Sequence, residues 1–355
     1  MLKSLAKKYN PSAFRCALLS AMCAGAVLFG QVAQAQDSGF TPVTPEDEVK
    51  QMGAGMNIIG GYDNYWFGKP TKFTDADIKR VAEAGFHNIR VPLFVMRVMD
   101  KQGRIDPSWL KRLDHIIDLA HKNNLIISLD EHDFEECAAN KSDCEIVLGV
   151  IWTQLAERYK AEPNSVVFEL LNEPHGQIDA DSWNEILVKT LAIVRKTNPL
   201  RNVIIGPIGY NSIRDLPALK VPQDDRHIII TFHYYDPFHF THQGANWASS
   251  DVVTLRGVRW KGTDEEKRVI ANAFDEVKHW ADKEHRPIYL GEYGSYGKFN
   301  PNMDDRAAWT KAISEAADKR GFARAYWYYS DGKGFGAYDD DQQKWVQPIV
   351  DALTK

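Results

Sequence analysis

Short apolar runs alternate with amphipathic stretches along most of the chain. The apolar runs are rich in Val, Ile, Leu and aromatic residues and end at Gly, Pro or polar residues, which predicts buried strands. Eight such runs follow one another: "GAGMNII" from Gly53, "HNIRVP" from His87, "LIISLDE" from Leu125, "VVFELL" from Val166, "NVIIGP" from Asn202, "HIIITFH" from His227, "PIYLGE" from Pro287 and "ARAYWYY" from Ala323.

The stretches between these runs carry apolar residues at helical spacing. Examples are "DADIKRVAEAG", "PSWLKRLDHIIDLAHKNN", "DSWNEILVKTLAIVRKTN" and "EKRVIANAFDEVKHWADKE". Residues that commonly cap the N-terminus of a helix precede or open several of them, and we expect caps at Thr74, Asp181 and Thr263.

Apolar strands that alternate with helices predict an α/β protein with a parallel sheet covered on its outer face. Eight strand–helix units over about 300 residues match a single closed (β/α)8 TIM barrel. An open doubly wound sheet would place a Gly-rich phosphate loop after the first strand. The sequence there, "GMNIIGGYDNYWFG", continues into aromatic residues instead. We therefore assign one catalytic domain to residues 51–355, with a long insertion from Pro237 to Gly262.

The first residues differ in kind from the rest of the chain. Basic residues precede the apolar stretch "CALLSAMCAGAVLFG", and Ala33 and Ala35 supply a small-x-small cleavage pattern. Residues 1–35 are predicted to be a secretory signal peptide, followed by a polar linker at 36–50. A membrane anchor is the alternative, but the apolar run is shorter than the roughly 20 residues of a spanning helix. We expect a secreted or periplasmic protein, cleaved near Ala35, without stable membrane insertion.

Cleavage at that point would leave two of the four cysteines. Cys137 and Cys144 lie in one polar segment, "EECAANKSDCE". In an oxidising compartment the simplest interpretation is a disulfide bond that closes this segment. Two free thiols are the alternative.

Charge and composition exclude a nucleic-acid partner. The 355 residues carry 43 Lys+Arg against 48 Asp+Glu, a formal net charge of -5. The basic residues are spread evenly beyond the N-terminal segment, so no basic patch matches a phosphate backbone. We expect a monomer that acts on a neutral substrate.

Polar side chains cluster at the predicted strand ends, where a barrel of this kind places its chemistry. Buried polar groups cost free energy unless they are paired, so their convergence on one mouth indicates a functional site. The residues concerned are Arg90 on strand two, Asp130, Glu131, His132 and Asp133 on strand three, Asn172 and Glu173 on strand four, His233 and Tyr235 on strand six, Glu292 on strand seven and Trp327 on strand eight.

Two carboxylates across one cleft suit cleavage of a glycosidic bond, because one acid protonates the leaving group while the other attacks the anomeric carbon or activates water. Glu173 and Glu292 supply such a pair. Aromatic side chains that could bind sugar faces follow the strands: Tyr65, Trp66, Tyr210, Tyr234, Trp247, Trp260, Trp327 and Phe335. Each of them singly could equally be ordinary packing.

Four motifs in order, "LNEPHG", "FHYYDPFHFTHQGANW", "PIYLGEYG" and "AYWYYSDGKGFGAYD", resemble glycoside hydrolase family 5, a family of retaining β-glycanases in clan A. The resemblance covers the chain from Gly53 onward. It implies an endo-β-1,4-glucanase. We expect this enzyme to be secreted, as the N-terminal segment indicates, and to need no cofactor or metal ion. The substrate that the resemblance implies is a β-glucan polysaccharide or oligosaccharide.

The resemblance also implies a role for each site residue. Glu173 would be the acid/base and Glu292 the nucleophile, and Asn172 would bond the sugar 2-hydroxyl. The supporting residues would orient the nucleophile (Arg90, Tyr235), contact substrate or the acid/base (His132, His233) or stack on the sugar (Trp327). Trp66 and Trp247 are further candidates for substrate contact, because they belong to the aromatic residues that follow the strands. Strand three departs from the family pattern, because "SLDEHDFEE" carries more carboxylates around its His.

Other functions are weighed against this one. A divalent metal could be held by His132, Asp133, His233 and Glu292, although the sequence has neither an H-x-H nor an H-E-x-x-H pair. A carbohydrate-binding protein without catalysis would need the same aromatic cleft but not both carboxylates. On the same scaffold, a β-mannanase, a xyloglucanase or a β-1,3- or mixed-linkage glucanase is the alternative to a cellulase.

Overall fold

The protein is a closed barrel of eight parallel strands in sequence order, in which the last strand pairs with the first. The computed structural model describes residues 39–58, 74–299, 302–330 and 334–355. The prediction of a (β/α)8 barrel is confirmed. The strands are β1 (Ala54–Asn57), β2 (Asn88–Leu93), β3 (Ile126–Glu131), β4 (Val166–Glu169), β5 (Val203–Ile205), β6 (Ile228–His233), β7 (Ile288–Tyr293) and β8 (Ala323–Tyr326), with a small hairpin of β9 (Tyr338–Asp339) and β10 (Lys344–Trp345).

Helices surround the barrel and also form the segment that precedes it. They are α1 (Pro45–Met52), α2 (Asp75–Glu83), α3 (Pro107–Lys122), α4 (Phe134–Ala139), α5 (Lys141–Arg158), α6 (Ala180–Arg195), α7 (Ile208–Asn211), α8 (Phe238–Thr241), α9 (Asp264–Glu284), α10 (Met303–Lys319) and α11 (Gln347–Thr354), with 3-10 turns at Val95–Val98 and Ile213–Ala218.

Two of the three predicted helix caps are correct. Thr74 and Thr263 are the N-caps of α2 and α9, each with a reciprocal bond from the third helical residue. The predicted cap at Asp181 is wrong, because Asp179 caps α6 and accepts from the backbone N–H of Ser182. The helix begins at Ala180, one residue before Asp181, so the error is one of boundary.

The predicted linker at 36–50 ends earlier than expected. Thr44 caps α1, whose side chains Glu48, Val49 and Met52 are buried. These residues close the barrel at the N-terminal ends of its strands, where the Asn88 side chain donates to the Met52 carbonyl (2.8 Å). The polar composition of the segment reflects the outer face of this helix, and its inner face belongs to the core.

The barrel interior has two chemically different halves. The lower half, at the N-terminal strand ends, is mainly apolar: Val49, Met52, Ile126, Val167, Ile204, Ile229, Tyr289, Ala323 and Ala325 pack together there. The upper half, at the C-terminal strand ends, contains the buried polar residues Asn57, Arg90, Asp130, Glu169, Asn172, His233 and Glu292. A larger apolar cluster fills the layer between the strands and the helices.

The strand register is irregular beside the upper half. It shifts at Phe232/His233 between β6 and β7 and again between Leu290 and Tyr293 where β7 meets β8. Irregularities of this kind re-aim side chains and are common next to active sites. Here they flank Glu292.

Within the described ranges, no helix is both long enough and apolar enough to span a membrane. The predicted signal peptide lies outside the described residues.

Candidate active site

Arg90 is the centre of the polar upper half. The sequence placed it at the end of strand two, but it lies in the middle of β2, and its side chain is fully buried. Its guanidinium donates to both oxygens of Glu169 (2.8 and 2.9 Å) and to Glu292 Oε1 (2.8 Å). It also lies 3.0 Å from Asp130 Oδ2. One cation therefore faces three buried carboxyl groups.

Glu292 is held at both oxygens. Oε1 accepts from Arg90, and Oε2 accepts from the Tyr235 hydroxyl (2.9 Å). Two donors fix the rotamer of the carboxylate and favour its ionised form. Glu292 is 4% exposed, so it faces the cleft from a largely dry position.

Glu173 has a different environment. Its backbone is in the left-handed region (φ 43), a conformation that non-glycine residues adopt mostly where structure or function imposes it. His233 Nδ1 lies 2.7 Å from Glu173 Oε1, and the side chain is 15% exposed. A carboxylate oxygen of Glu173 lies within 4.8 Å of one of Glu292.

The two glutamates differ in how their charge is compensated. Burial raises the pKa of Glu173 to about 7, and Arg90 opposes this only from a distance. Burial also raises the pKa of Glu292, but the guanidinium of Arg90, in direct contact, opposes that shift. Because Arg90 bonds directly to Glu292 and not to Glu173, the proton of this pair resides on Glu173 near neutral pH.

His132 and Asn172 form the wall between Arg90 and the aromatic residues. Asp130 Oδ2 shares a hydrogen bond with His132 Nδ1, and Asn172 Nδ2 lies 3.3 Å from His132 Nε2. Asn172 Oδ1 accepts from Arg90 (2.8 Å). Burial lowers the pKa of His132 well below its usual range, so the ring is neutral. Trp327 stacks on this ring, with 5.9 Å between centroids and 10° between planes.

The extra carboxylates of strand three divide between two faces of the strand. Asp130 points into the barrel toward Arg90 and His132. Glu131 Oε1 accepts from the Asp133 backbone N–H, while Asp133 Oδ2 accepts from the Met96 backbone N–H. Glu131 and Asp133 are fully buried, and burial together with their mutual repulsion raises the pKa of Glu131. Asp130 thus belongs to the site, whereas Glu131 and Asp133 support the wall behind it.

The aromatic residues divide in the same way. Trp327 is partly exposed beside a cluster of Tyr296, Tyr328 and Phe335, against which Tyr235 also packs. Trp247 is 58% exposed and meets Tyr296 edge-on at 4.7 Å.

The prediction of a place in the cleft is wrong for two of the aromatic residues. Tyr234 and Trp260 are buried in the layer between strands and helices. Tyr234 follows strand β6 one position before Tyr235, so the two side chains point to opposite faces. Tyr210, in contrast, is 53% exposed and stacks on His175 (4.1 Å). Tyr65 and Trp66 lie outside the described residues.

Cys137 and Cys144 form a disulfide bond. The bond joins α4 to the first turn of α5, shortly after β3 and the His132 that follows this strand. Phe134, in the same short helix, contacts the His132 ring edge-on at 5.2 Å. The disulfide therefore braces one rim of the cleft.

Glu173, His233 and Glu292 are the residues that could hold a metal ion, judged by distance within the described part of the chain. The Nδ1 atom of His233 already contacts Glu173, and Asp133 of the predicted metal set points away toward Met96. The arrangement fits one protonated and one ionised carboxyl group on either side of a cleft better than a set of ligands around a cation.

Three residues of the site escaped assignment from sequence. Glu169 is a charge inside an apolar strand, a visible signal without an obvious partner. Asn57 accepts from Arg90 (3.0 Å) and donates to the Gly291 carbonyl (2.9 Å), linking β1 to β7. Asn211 lies 3.2 Å from His233 Nε2 and had no sequence signal beyond its place in a turn.

Comparison with known proteins agrees with this geometry. Residues 48–333 match the family described as cellulase, glycosyl hydrolase family 5. The chain belongs to glycosyl hydrolase family 5. Among curated family members, Endoglucanase H of Acetivibrio thermocellus is 33% identical over 307 residues, which cover 84% of this chain and 31% of that protein. The chain therefore spans about a third of that relative.

Solved endoglucanase structures are similar to this chain over most of its length. A hyperthermophilic endo-beta-1,4-glucanase, determined in complex with substrate, is 35% identical with a TM-score of 0.82, covering 88% of this chain and 99% of that one. The endoglucanase Cel5A of Thermotoga maritima is 31% identical with a TM-score of 0.82, covering 88% of this chain and 100% of that one. Cel5A has been determined with mannotriose and with cellobiose.

Proposed function

We propose that the protein is an endo-β-1,4-glucanase that hydrolyses β-glucan with retention of anomeric configuration. Family membership and the names of the similar endoglucanases support the substrate class. The observation that carries the mechanism is a pair of glutamates within 4.8 Å, of which Glu292 is bonded to the cation Arg90 and to Tyr235, whereas Glu173 contacts the neutral ring of His233.

In the first step, a carboxylate oxygen of Glu292 attacks the anomeric carbon while Glu173 gives its proton to the glycosidic oxygen. The bond between that oxygen and the anomeric carbon breaks, and the leaving sugar departs with a free hydroxyl group. Glu292 is then esterified to the sugar. Arg90 and Tyr235 hold the attacking carboxylate in place and keep it ionised until it reacts.

In the second step, Glu173 acts as a base. Esterification removes the negative charge of Glu292, so the pKa of Glu173 falls relative to the free enzyme. Its carboxylate takes a proton from water as the water oxygen attacks the anomeric carbon, and the Glu292 carboxylate leaves. Two inversions at one carbon restore the β configuration.

The carboxyl separation supports retention. Retaining enzymes need about 5 to 5.5 Å, whereas inverting enzymes need about 6.5 to 9.5 Å to admit a water molecule between the carboxyl groups. The nearest oxygens here lie within 4.8 Å. The test is the anomer released by the wild-type enzyme, followed by NMR before mutarotation. A fresh β-anomer is expected, and a fresh α-anomer contradicts the proposal.

Azide rescue separates the two roles. With Glu292→Ala, azide can take the place of the nucleophile and should give an α-glycosyl azide from an activated substrate. With Glu173→Ala, the activated substrate still forms the glycosyl-enzyme, and azide should give the β-glycosyl azide. Products of the opposite configurations would exchange the two assignments.

Substrate choice is tested by product analysis on carboxymethylcellulose, mixed-linkage glucan, xyloglucan, laminarin and mannan side by side. We expect the highest activity on β-1,4-linked glucan. Mannan is included because the similar Cel5A was determined with mannotriose. Binding without release of reducing sugar from any of these polymers would indicate a carbohydrate-binding protein instead.

We also propose that residues 1–35 direct export and are removed. Their basic, then apolar, then small-residue order supports a signal peptide, and a disulfide bond suits an oxidising compartment. The N-terminal sequence of protein recovered from periplasm or medium should begin near Gln36. Uncleaved protein in the membrane fraction would support the anchor instead.

A further inference from the structure

Asn211 lies beneath His233 on the side away from the glutamates. It is fully buried at the end of α7, and its Nδ2 lies 3.2 Å from His233 Nε2. The three residues Gly209, Tyr210 and Asn211 all have positive φ (69°, 65° and 55°). Glycine and asparagine adopt this conformation most readily, so the turn is built to deliver an asparagine at this point.

The amide of Asn211 has little freedom to move. A Cβ atom at Gly206 would lie 2.1 Å from Asn211 Oδ1, so the amide fits against bare backbone at the end of β5. This close approach holds the side chain in register with the His233 ring.

The other face of the ring decides where the hydrogen of His233 lies. Nδ1 is 2.7 Å from Glu173 Oε1 and 3.6 Å from Glu292 Oε2. The ionised carboxylate of Glu292 would repel a bare lone pair on Nδ1, so Nδ1 carries a hydrogen as long as Nε2 has a donor of its own. Burial lowers the pKa of His233 to about 4, so the ring is neutral and Nε2 is a bare acceptor. The charged or titratable groups around it are Glu173, Glu292, Arg90, Glu169 and His132.

A buried acceptor needs a donor, and the Asn211 amide supplies it. We propose that Asn211 is a positioning residue for catalysis: by donating to His233 Nε2 it fixes the tautomer that donates from Nδ1 to Glu173 Oε1. The acid proton of Glu173 must then reside on Oε2, the oxygen that His233 does not contact. This inference rests on the proposed role of Glu173 as acid/base.

This tautomer determines which oxygen of Glu173 exchanges the proton during the reaction. Glu173 Oε2 gives its proton to the glycosidic oxygen in the first step and takes one from water in the second, while Nδ1–H stays on His233 throughout. Without Asn211, the other tautomer becomes available. Its bare Nδ1 would accept the Glu173 proton from Oε1, where it cannot reach the leaving group.

The test uses two aryl β-cellobiosides that differ only in the leaving group. Phenyl β-cellobioside needs a proton from the acid, and dinitrophenyl β-cellobioside does not. For Asn211→Leu we expect kcat/KM on the phenyl substrate to fall about tenfold or more, and on the dinitrophenyl substrate to change less than about twofold. Asn211→Gly also removes the amide but adopts the left-handed backbone without strain, so it serves as the test if the Leu variant folds poorly. We expect the same difference between the two substrates for this variant.

Equal losses on both substrates, or no loss on either, would overturn the inference. Glu173→Gln in the same assay keeps the two proposals apart. If it shows strong dependence on the leaving group and the Asn211 variants do not, only the role of Asn211 fails. If Glu173→Gln shows none, the acid/base assignment itself fails.

Asn184→Leu is the matched control. Asn184 bonds to Ala218 and Lys220 and so holds the same connection between β5 and β6 without contact to His233. Asn184→Leu should lower the melting temperature, while the ratio of kcat/KM on the phenyl substrate to kcat/KM on the dinitrophenyl substrate stays that of the wild type. NMR of isotope-labelled histidine in the wild-type enzyme gives an independent readout: hydrogen on Nδ1 of His233 is expected, and hydrogen on Nε2 contradicts the inference.

Discussion

The lower and upper halves of the barrel interior are formed by the same eight strands, and both consist of buried side chains, but they contribute to stability in opposite ways. In the lower half, side chains such as Met52 and Ile229 gain free energy on leaving water. In the upper half, Arg90 and three carboxyl groups lose hydration that their contacts only partly replace. The lower half therefore provides stability, while the upper half uses it to hold a reactive arrangement.

The largest effect should follow from removing the cation of the upper half. Arg90→Met leaves Asp130, Glu169 and Glu292 without their shared partner and should lower the free energy of unfolding by about 3 to 5 kcal/mol. Loss of the donor to Glu292 should also lower kcat by roughly 10²- to 10³-fold. Denaturant melts and kinetics test both expectations. Arg90→Lys keeps the charge but not the planar fork of the guanidinium. If the Met variant has the stability and kinetics of the wild type and the Lys variant does not, this account is refuted.

The matched change in the lower half is Met52→Ala. It creates a cavity beneath the strands and should cost about 2 to 5 kcal/mol of stability. At temperatures where the variant is folded, kcat and KM should remain those of the wild type, because the Met52 side chain packs in the lower half and away from Glu173 and Glu292. Met52→Leu, of similar volume, should cost less than about 1.5 kcal/mol. A fall in kcat for Met52→Ala without unfolding would show that the halves are coupled.

The one acidic side chain that α1 places in the lower half tests the same contrast through pH. Burial raises the pKa of Glu48 to about 7, against an ordinary value of 4.5. Folding takes up a proton in this interval, so the contribution of Glu48 to stability is full below pH 4.5 and is lost as the pH rises to about 7. Glu48→Gln mimics the protonated form. It should match the wild type in acid and be more stable by up to about 3 kcal/mol in mild base. Equal melting temperatures in mild base would contradict this.

The disulfide at the rim of the upper half should have a smaller effect. Its sequence separation of 7 closes a short loop. Chain entropy then predicts a loss of about 2 to 3 kcal/mol for the double variant Cys137→Ala, Cys144→Ala. Thiol titration of the mature protein should find no free thiol before reduction. If two thiols titrate without reductant, the disulfide bond is absent from the mature protein and this prediction is contradicted.

The smallest effect is expected at the edge of the upper half. Trp327→Ala removes the stacking surface beside His132 but leaves the glutamates in place, so kcat/KM should fall by the equivalent of about 1 to 3 kcal/mol. Trp327→Phe should restore part of this loss. Unchanged kinetics together with a lower melting temperature would assign Trp327 to packing alone.

Much of the fold followed from local pattern. Eight apolar runs separated by amphipathic helices gave the number, order and direction of the strands, because period and punctuation are properties of neighbouring residues. The placement of Glu173 after strand four and of Glu292 near the end of strand seven followed as well, since all C-terminal strand ends of a parallel barrel meet at one mouth. Boundaries were less certain, as the cap of α6 and the start of α1 show.

Only the tertiary structure decided which polar side chains work together. Arg90 and Glu292 are 202 positions apart, and their 2.8 Å contact depends on barrel closure and strand register. The same applies to Asp130 pointing inward while Glu131 points outward, and to Tyr235 reaching Glu292 while Tyr234 enters the core. Local pattern records that a residue is polar or apolar. Its partner and its proton depend on distances between strands and on burial, which exist only once the barrel has closed.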